Sequence, residues 1–241
     1  MRPLLAFALL PLATACHTSW GDTKGSKVDA SGTGATRSFA AADFTGVALK
    51  GSDDVDVRTG TTFSVQAEGD PAVLDQLDIR LDGKTLNVGR KKRAGVMWEK
   101  GDGAKIHIVM PQLSEVVVAG SGTMRVDRAT GKFDAAVAGS GDLTIAALAA
   151  EEASLSIAGS GNITVAGRAD KMDLSVAGAG DLKGDQFTVK SADIAIAGSG
   201  SVRANVNGPA SISILGSGDV DLRGGAKCEV TKVGSGDVKC S

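Results

Sequence analysis

The amino-acid sequence predicts an all-β fold: a parallel β-helix-like solenoid with coils of about 19 residues and a mixed N-terminal capping insertion. Three observations carry that expectation. A glycine-rich turn recurs seven times, apolar residues alternate on both sides of each copy, and the composition favours aliphatic over aromatic side chains. Of 241 residues, 33 are Gly, six Phe, two Trp and none Tyr. A core made without aromatics must use Val, Ile, Leu and Ala, which suit a pleated surface.

The turn is clearest in "VAGSGDLTI" at 137–145 and "IAGSGNITV" at 157–165. With its first glycine as position zero, it starts at Gly120, Gly139, Gly159, Gly178, Gly198, Gly216 and Gly234, at intervals of 18 to 20 residues. A fixed period near 20 marks a solenoid. Position −2 carries Val118, Val137, Ile157, Val176, Ile196 and Ile214, while position +4 carries Met124, Leu143, Ile163, Leu182, Val202, Val220 and Val238. The intervening positions are mostly small or polar, such as Ser156 and Ser175 before the turn and Thr144 and Lys183 after it. Period-two alternation on both sides of a turn means two strands with one face inward. Stacked at about 4.8 Å, seven coils give a core roughly 34 Å long.

The chain begins with Arg2, a short apolar run from Leu4 to Leu12, and Ala13-Thr14-Ala15 before Cys16. Residues 1–15 read as a secretion signal, because about ten apolar residues are too few for a permanent span. Two processing routes fit. Ala-Thr-Ala is an A-x-A cut site, and "ATAC" resembles a bacterial lipobox in which Cys16 becomes the lipidated first residue. Cysteine arithmetic favours the lipobox: lipidation of Cys16 leaves Cys228 and Cys240 as an even pair. Residues 16–37 hold few apolar side chains and read as a flexible tether, on the order of 25 Å in span.

Residues 38–241 form the expected solenoid domain. An eighth copy of the turn starts at Gly51, with Asp53 in place of its second glycine. Some 50 extra residues separate it from Gly120, and 58–110 is read as an insertion capping the N-terminal end. Within it "TFSVQAEG" and 105–110 read as strands. Asp70-Pro71 reads as a helix N-cap with proline at N1, opening a helix to about Leu77. Residues 77–90 read as a hairpin turning at Asp82-Gly83. At the far end Cys228 and Cys240 sit at −6 and +6 of the last turn, both at inward parity. They predict a disulfide closing about 13 residues, worth roughly 3 kcal/mol in the chain-entropy model.

The formal charge of −2 argues against a nucleic-acid partner. The one basic run, Arg90, Lys91, Lys92 and Arg93, reads as a solvated loop. Phosphate-binding glycine loops lead into a helix, and here a strand follows each time. The glycines therefore read as corners that need positive φ or close approach. Position +3 is Thr123, Asp142, Asn162, Asp181, Ser201, Asp219 and Asp237. The favoured reading is capping of backbone N–H groups at the corner. Asp142, Asp181, Asp219 and Asp237 are weak calcium candidates, and no metal or cofactor is expected. His17 falls in the tether, His107 alternates with Ile106 and Ile108 and is expected to face solvent, and Trp98 reads as a loop anchor.

The repeated "VVVAGSGTM", "AVAGSGDL", "LSIAGSGNI" and "IAIAGSGSV" resemble the bacterial auto-transporter adhesin family with the head GIN domain, a domain of unknown function. The resemblance covers about residues 38–238 and implies an exported β-helical domain with no known catalytic residues. The reading that follows is a non-enzymatic, lipid-anchored envelope protein of the periplasm, outer membrane or cell surface. Its −3 column (Val117, Ala136, Ser156, Ser175, Ala195, Ser213 and Thr231) would present a smooth face to an envelope protein, a glycan or a second copy of the chain. The alternative is a polysaccharide-active enzyme using Asp219, Asp237 or the loop around Trp98.

Overall fold

The computed structural model describes residues 25–91 and 103–241. Among them the chain is nearly all β, with one four-residue helix. Strands pair in parallel with their copies in adjacent rungs. Glu115–Gly120 aligns with Ala129–Gly139, so that Val116 meets Ala135, Val118 meets Val137, and Gly120 meets Gly139. The long strands Asp142–Gly159, Asn162–Gly178 and Leu182–Gly198 hold the same alignment, with register shifts at the looser corners between Ile145 and Leu148 and between Thr164 and Ala166. Every second residue then enters the core: Leu143, Ile145, Leu155, Ile157, Ile163, Val165, Leu174 and Val176 are all buried.

The glycine corner sets how closely rungs approach. The first glycine of each turn has φ between +117° and +141°, which side-chain-bearing residues rarely adopt. The second has no such φ, and its constraint is steric. A Cβ on Gly161 would fall under 3.0 Å from the Gly141 carbonyl oxygen and from Val137. Ser160 and Gly161 donate their N–H groups to Gly139 O at 2.8 and 3.0 Å, and Ala179 and Gly180 donate to Gly159 O at 2.8 and 3.1 Å. The bond uses backbone alone, so Ala179 replaces serine without loss.

The insertion does more than cover an end. Its strand Thr85–Arg90 pairs in parallel with Gly46–Gly51, and its strand Lys105–Met110 pairs with Asp54–Thr59. It therefore supplies the outermost parallel rung, and residues 46–59 form the second. Antiparallel strands close the edge beyond: Leu77–Asp82 lies against Thr85–Arg90, and Ser64–Glu68 against Lys105–Met110. Asp70 caps the helix Pro71–Leu74 by accepting from Ala72 N. That helix stops short of the expected Leu77, because Leu77 is already paired with Arg90 in the hairpin.

Of the tether expected over 16–37, the described part from residue 25 onward is paired into the cap instead, and 16–24 lie outside the described residues. Ser26–Lys27 pairs with Leu81 and Arg80, Ala30–Ser31 pairs with Thr36–Phe39, and Val28 N donates to Ile79 O. Low apolar content gave no reason for order, but an open sheet edge recruits backbone N–H and C=O groups regardless of side chain. Cys228 and Cys240 are joined by a disulfide across the last corner.

Replacing Gly161 by Ala is expected to destabilise the protein by about 3 kcal/mol through backbone overpacking. Gly83→Ala, in an open turn at φ +58°, is expected to cost only about 1 kcal/mol. Urea titration of both variants measures the difference, and equal costs would remove the steric account of the corner.

Candidate functional site

Three surfaces gather polar and charged side chains, and the sequence foresaw parts of each: the +3 column, the −3 column and His107. The first is the carboxylate column at +3. Asp142 Oδ1 accepts from Asn162 Nδ2 at 2.8 Å, Asp181 Oδ1 from Ser201 N at 2.8 Å, and Asp219 Oδ1 from Asp237 N at 2.8 Å. The carboxylates reach up to the next rung rather than back into their own corner, so the capping runs between coils. Among the described residues no group of three or more His, Cys, Asp or Glu is placed to hold a metal ion.

The second surface is a shallow groove of about 580 Å³ along the outward face of the strands before the corner. Ala136, Ser156, Ser175, Ala195 and Ser213 form its floor, and Asp134, Asp173 and Asp193 stand along one side. The floor is the −3 column, brought into one face because parallel in-register pairing repeats each position rung upon rung. Lys171 Nζ bridges Asp173 and Asp193 at 2.9 and 3.2 Å, and hydrogen bonds to the two carboxylates raise its pKa above the usual lysine value. Asp219 and Asp237 lie outside this groove.

The third is a hollow of about 360 Å³ over the N-terminal rungs, lined by Asp54, Asp56, Lys105, His107 and Arg125. His107 is 42% exposed, with Nδ1 3.7 Å from Asp56 and Nε2 4.0 Å from Glu68. Register explains the mixture: Asp54 lies opposite Lys105, and Asp56 lies between His107 and Arg125. These are cross-strand charge pairs on a solvated face.

Sequence reasoning missed one charged centre. Asp53 is fully buried, its carboxylate ion-paired with the Arg90 guanidinium and accepting from Ala104 N at 2.9 Å. The hydrogen bond to Asp53 raises the Arg90 pKa above its ordinary value. Arg90, expected in a solvated loop, instead binds the outermost rung to the next. Lys91 Nζ is taken up by Asp75 O at 2.6 Å. The signal was present as the one non-glycine in the second-glycine column. Cys16, His17, Lys92, Arg93 and Trp98 lie outside the described residues.

The repeated glycine corner and in-register rungs over most of the chain agree with a family model described as putative auto-transporter adhesin, head GIN domain, which matches residues 43–226. The chain belongs to this family. Solved structures with the same fold include an adhesin-like protein of Bacteroides fragilis, described as a putative adhesin, at TM-score 0.80 and 18% identity, covering 86% of this chain and 96% of that one. A protein of Parabacteroides distasonis described as a putative lipid binding protein has TM-score 0.67 and 23% identity, covering 86% and 96%. A putative adhesin of Parabacteroides merdae has TM-score 0.67 and 20% identity, covering 86% and 95%. At these identities the likeness is one of fold. No curated protein matches the chain.

Asp53→Ala removes one partner of a buried pair and is expected to cost about 3–5 kcal/mol. The loss should appear first as faster amide hydrogen exchange in Thr85–Arg90 and Lys105–Met110. Unchanged exchange there would show that the pair does not bind the outer rung.

Proposed function

We propose that the protein is an exported, lipid-anchored, adhesin-like scaffold of the bacterial envelope. It works by presenting the groove face to a partner and carries out no catalytic step. The observation that carries this reading is the groove itself, a face of small side chains running across five rungs with acids along one side. Ala and Ser lose little rotamer freedom when covered, so a rigid wall of them is preorganised for contact. Membership of a family described as adhesins supports the same reading.

The anchor follows from the N-terminal sequence. Strand Ser26–Lys27 sits on the capping hairpin, so the chain leaves the solenoid at its capped end. With Cys16 acylated, about nine connecting residues, reaching at most about 30 Å, would hold that end near the membrane. The stack, roughly 40 Å long at the usual strand spacing, would then project its C-terminal rung away from the lipid. Among the described residues no helix is long and apolar enough to cross a membrane.

Mass spectrometry of the mature N-terminus is expected to find acyl chains on Cys16. Cys16→Ser should move the protein from the detergent to the aqueous phase on phase partition, and an unmodified wild-type N-terminus would overturn the anchor. For the groove, Ser156→Arg with Ser175→Arg is expected to reduce binding to native envelope fractions at least tenfold while leaving the melting temperature within 2–3 °C, as surface changes do. Retained binding would remove the groove from the proposal and leave the anchor standing.

A further inference from the structure

The two ends of the stack are closed by different means. Antiparallel strands cover the N-terminal edge, whereas at the other end, among the described residues, Lys227–Gly234 pairs with Pro209–Gly216 on one side only, and Val238–Cys240 likewise with Asp219–Arg223. The last two rungs differ in chemistry. Pro209–Gly216, "PASISILG", is uncharged, with Ile212 and Ile214 inward and Ser211 and Ser213 outward. An uncharged alternating strand is a template for another strand once its edge is open. The rung above it, "KCEVTKVG", carries Lys227, Glu229 and an inward-position Lys232 whose ammonium donates to Gly236 O. Charges on an edge, inward ones above all, disfavour further pairing. One covalent bond closes this charged rung on itself: the Cys228–Cys240 disulfide, with Cys240 exposed and Cys228 half-buried.

We propose that the Cys228–Cys240 disulfide is a redox lock on the C-terminal edge. Its reduction by a dithiol frees the rung 227–241, and the uncovered Pro209–Gly216 edge then pairs antiparallel with the same edge of a second copy. In the redox step a thiolate of the dithiol attacks one cysteine sulfur and displaces the other as thiolate. The second thiol of the reductant then attacks the mixed disulfide and closes its own disulfide. Two electrons pass to the cysteines, each of which ends as a thiol after taking a proton.

The edge itself selects the occupant. Antiparallel pairing across a two-fold axis at Ile212 sets Ile212 against Ile212 and Ala210 against Ile214 on the inward face. On the outward face it sets Ser211 against Ser213, a hydroxyl pair of the kind that stabilises sheets. The intact last rung offers no such match: centred on Val230, the same operation sets Cys228 against Lys232 and Lys227 against Val233. The charged rung therefore keeps the molecule from pairing through this end, and the disulfide keeps the charged rung in place.

The test uses the mature chain with and without dithiothreitol, read by amide hydrogen exchange and by sedimentation velocity over a hundredfold range of concentration. Reduction is expected to lower protection over 227–240 at least tenfold and to produce a species of twice the mass at high concentration. The double variant Cys228→Ser, Cys240→Ser should do the same without reductant. Adding Ser211→Lys and Ser213→Lys, both at exposed positions, should leave the fraying and abolish the dimer by setting lysine against lysine. Unchanged protection on reduction overturns the lock. A frayed chain that stays monomeric, or association that survives the two lysines, overturns the edge pairing.

Discussion

The fold depends on the distance between backbones at the glycine corner. Each turn places two glycines against the carbonyls of the turn beneath, one needing an unusual φ and both lacking room for a Cβ. The first glycine's carbonyl accepts two N–H groups from the rung above at Gly51, Gly120, Gly139 and Gly159, and one at Gly178, Gly198 and Gly216. That contact locks the register, and register decides everything outward of it. A slip of one residue would turn the buried Val, Ile and Leu files to solvent. A slip of a whole rung is opposed by the ends, which are unlike every rung between them.

The ends show how a repeating structure stops. At the N-terminal side residues 26–39 lie in the antiparallel cover; the chain then lays down the second rung, leaves to build the outermost rung and the rest of the cover, and returns to the third. Asp53 stands in the second-glycine column at the rung that faces the insertion. Its carboxylate joins Arg90 and Ala104 N across the junction. At the C-terminal side no such cover exists among the described residues, and Val230 and Val233 are 43% and 65% exposed. Position −2, apolar in the six turns before it, becomes Lys232 in the last. Both devices depart from the repeat at the rung where the repeat must end.

Much of this was legible before any coordinates. The period, the inward columns, the hairpin at Asp82-Gly83 and the Cys228–Cys240 bond all follow from local spacing, because a solenoid turns sequence period into spatial neighbourhood. What was hidden has a different character. Nothing local in Arg90 says that it meets Asp53, 37 residues away, since that pairing depends on an insertion folding back beneath an earlier strand. Residues 26–31 pair through backbone groups, which composition does not report. The +3 carboxylates do accept N–H groups, but the donors lie one coil further on, and for Asp142 the donor is the Asn162 side chain. Such a choice between two nearby N–H groups depends on rung geometry rather than on residue type.

The same translation of period into surface bears on what such a molecule does. An enzyme concentrates unlike groups at one point, whereas a strict repeat spreads like groups along a line. The outward columns here are lines: serines at the corner, carboxylates beside them, small residues along the groove floor. Where the repeat is broken, at Asp53, Lys232 and the disulfide, the unlike groups are spent on closing the stack. Beyond the mixed charges over the N-terminal rungs, what remains on the outside is a long face of nearly constant chemistry. In the proposed role, a face of that kind would recognise by extended contact with something of similar length, and its strength would grow with the number of rungs engaged rather than with any single residue.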